Sequence, residues 1–401
     1  MDVLKKLFIA SLFLYPLGQI ARVRVLTSAS FTVFDIGVFV VVVSFLTTKI
    51  LKHEKITIGK IEKAAAFFIA CCLLSLLMQI QVLKPGELLI SSLYLFRWIL
   101  YFGIYLIVKD IAQKRRQLYI NLSLLSGGIF LVIGILQYLF YNNLGNLRYL
   151  EWDDHLYRLF GTFLDPNFTG VFFVLYFLLV FSQIKSSSSK RRIQFFILTI
   201  VTLFAVIVTY SRTALIMLLV SMVALIFTSQ YKKILLLLAG VAFLFVLLFS
   251  DVKTEGMNPF RTASSHERLK SMSNALQIIQ KNPLFGVGFN AYRYAQHRYG
   301  FRESAKWQVS NADAGTDNSL LFVFATTGVL GLTAYLFLWL TILSEVMQRG
   351  RQDYFSKIVF ISCVGLLVSS FFLNTLFYPF LLFWIWMMIG ITTKDEKVAK
   401  R

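Results

Sequence analysis

Apolar runs near or above 17 residues recur along the whole 401-residue chain, separated by short polar connectors. A bilayer core takes a helix of ~20 apolar residues. The pattern therefore predicts an all-α polytopic membrane protein of about twelve spans, at residues 7–20, 31–51, 64–83, 88–108, 118–141, 167–184, 193–209, 213–229, 233–249, 319–345, 355–373 and 376–392. The first run is short, as in a tilted or re-entrant span. Lys5-Lys6 and the apolar residues after them resemble a signal peptide, but no small-x-small cleavage site follows. The run is read as the first span. No internal repeat is visible.

One stretch breaks the pattern. Residues 250–318 form the only long hydrophilic segment, which divides the chain into spans 1–249, an extramembrane segment, and three further spans with a tail at 319–401. A loop of this length between spans usually carries function. Ser264-Ser265-His266-Glu267 fits a capping box with Ser264 at the cap. Leu269, Met272, Leu276 and Ile279 follow at helical spacing and predict an amphipathic helix that Asn282-Pro283 ends. Arg268 then falls in the first turn, where the helix dipole favours an anion. Gly286 and Gly288 permit a close turn but are too few and wrongly spaced for a Rossmann or P-loop nucleotide site. A second short helix from about Phe289 sets Arg293 and His297 on one face; a single histidine there is weak evidence for a metal.

Composition agrees with this reading: 57% of residues are hydrophobic and the mean hydropathy is +0.70. The net charge of +20 is what sharpens it. With the N-terminus in the cytoplasm, the inner loops and termini hold 24 Lys and Arg and the short outer loops 6. That bias places both termini inside and the long segment outside. The segment carries nine more Lys and Arg on the disfavoured side, which topology does not explain. Nucleic acid is a poor partner, because most basic residues fall in short loops. The three cysteines, Cys71, Cys72 and Cys363, lie in apolar runs and form no metal or disulfide pattern.

The predicted outer face gathers the candidate chemistry. The loop 142–166 holds Glu151, Asp153, Asp154, His155 and Arg158, with the acidic group best read as a solvated loop. In Asp165-Pro166-Asn167 either Asp165 or Asn167 is a cap for the sixth span. Arg212, in the tight turn Tyr210-Ser211-Arg212-Thr213, either snorkels to headgroups or uses its fork to hold a phosphate. Asp317, where the segment re-enters the membrane, either caps the tenth span or takes a proton from a hydroxyl. Arg97 lies nine residues into its run, about 13 Å below the outer end. An arginine there faces a cavity or a partner, and Asp35 is the candidate partner.

The order of these pieces resembles the O-antigen polymerase and O-antigen ligase superfamily of bacterial membrane glycosyltransferases. The resemblance is carried by Gly161-Thr162-Phe163-x-Asp165-Pro166-Asn167-x-x-Gly170, then Ser211-Arg212-Thr213, then Arg268 ahead of Asn282-Pro283-Leu284-x-Gly286-Val287-Gly288, then Asp317-Asn318-Ser319-Leu320 and Thr327-Gly328-Val329-x-Gly331. It is clearest over residues 155–335. It implies transfer of a glycan from an undecaprenyl diphosphate carrier on the outer face of the bacterial inner membrane, with no cofactor, nucleotide-sugar or bound metal. Arg212 and Arg268 match the family arginines thought to hold the diphosphate. Ligases carry a His-Asn pair where this chain has Asp317-Asn318, which favours a polymerase.

The resulting expectation is inverting transfer to the next lipid-linked repeat unit. Asp317, Arg212 and Arg268 are the catalytic candidates; Arg97, Arg158, Asn167, Arg293, His297 and Asn318 are the substrate-binding ones. Asp317 is the first choice of base, ahead of His297 and His266. The acceptor glycan, membrane lipid and a chain-length regulator are the candidate partners. The alternatives are a ligase acting on lipid A-core and a transporter of lipid-linked oligosaccharide. Transporters place ionisable groups near the midplane and often show related halves; here the polar residues gather on one face, in one loop, and no half-repeat is visible.

Overall fold

In a computed structural model of the chain, the described residues are 2–26, 29–113, 115–150, 152–228, 231–233, 235, 236, 238, 240, 263–301, 307 and 314–393. They form a mostly helical membrane bundle. The main elements are α1 (Asp2–Leu14), α2 (Val33–Leu51), α3 (Lys60–Met78), α4 (Pro85–Ile111), α5 (Arg116–Phe140), α6 (Pro166–Ser186), α7 (Ser189–Ile207) and α8 (Arg212–Thr228). They continue with α9 (Ala263–Lys281), α10 (Tyr292–Arg298), α11 (Ser319–Gly350), α12 (Tyr354–Ser369) and α13 (Pro379–Ile391). Among the described residues, seven helices are long and apolar enough to cross a membrane, and α8, α12 and α13 are shorter apolar helices. The expected ninth span, 233–249, lies largely outside the described residues, as does the start of the long hydrophilic segment.

Most expected spans match helices closely, and the departures have local causes. The first begins earlier, at Asp2, and continues beyond Leu14 as a 3-10 helix, Tyr15–Ala21, interrupted at Gly18. The third starts at Lys60 because Glu62 reaches back to the Gly59 amide at 2.9 Å. A hairpin of β1 (Arg22–Leu26) and β2 (Ala29–Thr32) was not anticipated. Thr32 ends β2 and caps α2, its hydroxyl accepting from the Asp35 amide at 3.2 Å.

The tenth span departs most. α11 is broken at Gly328, whose φ of 67° leaves the helical region. A Cβ at Gly328 would stand 2.1 Å from the Leu284 carbonyl oxygen, so only glycine fits. The break lets the stretch after α9 dock on the opened backbone. The Val287 amide donates to the Ala325 carbonyl at 3.0 Å, and the Val329 amide to the Pro283 carbonyl at 2.9 Å. From α3, the Ser75 hydroxyl lies 2.6 Å from the Phe285 carbonyl and 2.7 Å from that of Thr326. Irregular backbone within a membrane bundle persists only where protein satisfies it in this way.

The centre of the bundle is α6, with 89% of its apolar window buried. Being enclosed on all sides, it needs no polar face. Tyr15, Phe34, Phe172, Phe380, Phe383 and Trp384 interlock beside it. A second, smaller core joins α9, α10 and the first turns of α11 through Ala275, Ile278, Val287, Tyr292 and Phe322. The helix of the hydrophilic segment meets protein through Ala275, Ile278 and Ile279, while Leu269, Met272 and Leu276 of the expected apolar stripe are exposed.

Candidate active site

The site is built at the end of the bundle where α6, α8 and α11 begin. Its first wall is the turn between α7 and α8. Tyr210 sits there in the left-handed region, with φ 50°. The turn is held from behind by Arg158, which is only 5% exposed. Arg158 Nε donates to the Thr209 carbonyl at 2.9 Å, and Nη2 lies 3.4 Å from both the Tyr210 carbonyl and Asn167 Oδ1. Arg158 and Asn167, expected to touch substrate, thus fix the turn that presents Arg212. His155, Tyr157 and Leu164 in the neighbouring loop are also left-handed. Such strain persists where the surroundings over-determine it, commonly at functional sites.

The Gly161–Gly170 motif supplies this framework. Phe163 stacks on Phe380 with ring centroids 4.8 Å apart. Asp165 caps α6, its Oδ1 accepting from the Asn167 amide at 2.6 Å and the Phe168 amide at 3.3 Å. A Cβ at Gly170 would stand 2.7 Å from that of Ala214, so glycine lets α6 pass directly behind the turn. The acidic loop stays peripheral: Asp154 pairs with exposed Arg148.

Arg212 is the first residue of α8. Burial, and then the positive charge of Arg268, lower the proton affinity of its guanidinium. The two arginines, far apart in sequence, are thus within electrostatic range. Arg268 is half-buried on α9. Since α9 already runs from Ala263, Arg268 sits in its second turn and Ser264 lies inside the helix. The capping position itself lies outside the described residues. One turn beyond Arg268, the Ser271 hydroxyl is 3.1 Å from Thr316 Oγ1. That contact, which the sequence does not signal, ties α9 to the residue preceding Asp317.

Asn318, not Asp317, caps α11: its Oδ1 accepts from the Leu320 and Leu321 amides at 2.9 Å each, and its Nδ2 donates to the Phe371 carbonyl at 3.1 Å. Its side chain is engaged in structure, while half-buried Asp317 is left outside the cap. Arg293 and His297 lie on α10, which starts at Tyr292 rather than Phe289. The His297 ring stacks on Trp307 at 4.1 Å. Arg97 stands apart from these residues and grips Asp35 with Nε at 2.7 Å and Nη2 at 2.6 Å.

Residues 197–336 match the family model described as O-antigen ligase. This stretch is similar to the O-antigen ligase family. It runs from α7 into the second half of α11 and contains Arg212, Arg268, Arg293, His297, Asp317 and Asn318. Arg97, Arg158 and Asn167 precede it. No curated protein matches the chain. With its helical bundle the chain is a membrane protein, and the match over this stretch supports a likeness to the O-antigen polymerase and ligase superfamily.

Proposed function

We propose that the chain is an O-antigen polymerase-like glycosyltransferase. It moves a glycan from an undecaprenyl diphosphate carrier to a sugar hydroxyl of the next lipid-linked repeat unit, on the outer face of the bacterial inner membrane. The observation that supports this reading is that the charge of Arg268 reaches half-buried Arg212 from a distant segment. Two like charges within electrostatic range of each other favour an anion nearby. The acceptor oxygen forms the new bond to the anomeric carbon as the bond from that carbon to the phosphate oxygen breaks. The departing diphosphate takes the electron pair against the two guanidiniums. Asp317 takes the hydroxyl proton, and in-line displacement inverts the anomeric centre.

The test is a gel of the polymer made by cells carrying Asp317→Asn, Arg212→Ala or Arg268→Ala. Each variant is expected in the membrane at normal level, with the ladder of chain lengths lost. Full-length polymer from all three contradicts the assignment.

A second reading is favoured by the matched family's own description: a ligase that transfers the finished glycan to lipid A-core. Lipopolysaccharide from a deletion strain separates the two. One repeat unit remaining on core marks a polymerase, and core without any repeat unit marks a ligase.

A further inference from the structure

α9 buries only part of its apolar surface. Ala275, Ile278 and Ile279 join the second core, while Leu269, Met272 and Leu276 are 66%, 45% and 41% exposed. The exposed three recur at i, i+3 and i+7, which makes them one stripe beside the buried face. Lys270, Ser273 and Gln277, also exposed, form a third, polar face. Half-buried Arg268 falls on the border between the stripe and the buried face. Leu284, just past the helix, is exposed as well.

Contacts of α11 give the height at which this stripe sits. The Ser319 amide donates at 2.9 Å to the carbonyl of Ser370, just past the end of α12. The Thr326 carbonyl meets Ser75, in the last turn of α3, at 2.7 Å. α3 and α12 start at one end of the bundle, where Lys60 meets Glu345 at 3.1 Å. From there residues 60–75 rise about 23 Å and residues 354–370 about 24 Å. Ser319 and Thr326 therefore stand at similar heights, and the first turns of α11 run along the end of the bundle. The rest of that helix, 329–350, is about 33 Å long and crosses a ~30 Å hydrocarbon core by itself. α9 keeps beside those first turns, from the Ser271–Thr316 contact to the bond between the Pro283 carbonyl and the Val329 amide. It too lies along the bundle end.

The surroundings of the stripe say what covers it. The chain leaving α9 is bonded beside Val329 and Leu330 of α11, and beside the last turn of α3, where Leu77 and Met78 lie; all four are exposed side chains of membrane-spanning helices. The stripe thus continues a lipid-facing surface. It is aliphatic, without the Tyr, Trp and Arg anchors that mark the centre of a protein interface. An aliphatic stripe flanked by a polar face that carries a lysine suits the boundary between headgroups and acyl chains.

We propose that α9 docks on the lipid leaflet at this end of the bundle, with Leu269, Met272 and Leu276 among the acyl chains. Arg268, at the edge of the stripe, is thereby held at headgroup height, where a lipid-linked diphosphate carries its charge. That role for Arg268, unlike the docking itself, rests on the polymerase reading.

The test reads depth in full-length protein carrying Cys71→Ala, Cys72→Ala and Cys363→Ala. Met272→Cys, Leu276→Cys or Gln277→Cys is added singly and labelled with a nitrobenzoxadiazole dye. Each protein is placed in nanodiscs of phosphatidylethanolamine and phosphatidylglycerol, with and without doxyl-labelled lipid. Dyes at positions 272 and 276 are expected to emit further to the blue than the dye at 277, and to be quenched severalfold more by doxyl lipid. With the native cysteines kept, Met272→Glu together with Leu276→Glu is expected to raise KM for the donor severalfold. Equal quenching at the three positions overturns the docking. So does blue emission that doxyl lipid does not quench, the mark of a second copy or another protein. So does water-like emission that shifts only on adding undecaprenyl phosphate, the mark of a carrier chain. Quenching as expected with an unchanged donor KM overturns the role given to Arg268 alone. A wild type that docks but extends no chain overturns the polymerase reading and leaves the surface standing.

Discussion

Where α2, α4 and α11 end and α3, α5 and α12 begin, cations meet carboxylates. Lys49 lies 2.8 Å from Asp110 and 2.9 Å from Glu54, Lys109 is 2.6 Å from Glu62, and Lys60 is 3.1 Å from Glu345. Arg116 grips Asp353 with both arms of its fork. At the opposite end, the Arg268 charge bears on Arg212. Counting basic residues by loop therefore misses a distinction between the two ends. The end richer in positive charge matches many of its cations with anions; the other pairs Arg148 with Asp154 and Arg97 with Asp35, and also leaves Arg212 under the charge of Arg268. Like charges held close raise the energy of the empty protein, and a bound anion reverses that cost.

The comparison can be broken first at the arginine pair. Arg268→Glu replaces repulsion with attraction. It is expected to cut chain extension per membrane-inserted molecule by about 100-fold or more, while thermal stability in detergent holds or rises. A fall in stability with activity preserved would reverse the contrast. At the matched end, Arg116→Ala is expected to cost about 2 kcal/mol of stability and leave the extension rate per folded molecule unchanged.

The same ion pair sets a pH dependence. Burial raises the Asp353 carboxyl's proton affinity, but its bonds to Arg116 and Ser356 outweigh this and hold the pKa at about 2, below its ordinary 3.8. A depressed carboxyl stabilises the fold above its unfolded value and loses that contribution as pH falls through the folded one. Thermal stability is expected to drop between about pH 4 and pH 2, and Arg116→Ala is expected to shrink that drop. The smallest effect belongs to Asn318→Ala, which removes the α11 cap for about 1 kcal/mol. Asp317→Asn is expected to stop extension, whereas Asn318→Ala keeps extension per folded molecule. Loss of extension in Asn318→Ala with extension kept in Asp317→Asn would erase the difference between cap and base.

Much of the bundle was legible because each span is one uninterrupted apolar run. Gly328 was not legible as a break, because hydropathy continues across it; the partners that open the helix, Pro283, Val287 and Ser75, come from distant segments. The hairpin was too short to compete with the spans on either side. Asp317 and Asn318 are both good caps, and only hydrogen-bond geometry separates them. Arg158 reads from the sequence as a substrate-binding candidate, since no sequence pattern marks the carbonyls of Thr209 and Tyr210 as its targets. Residue type and order nominated Arg212 and Arg268, and their meeting depends on where α9 docks, through Ala275, Ile278 and the Ser271–Thr316 contact.

The most direct test is the stabilisation of purified protein by a polyprenyl diphosphate, read as a thermal shift. A clear rise is expected for the wild type, with most of it lost in Arg212→Ala and in Arg268→Ala. A shift of wild-type size in either variant would mean that the two arginines do not share one anion.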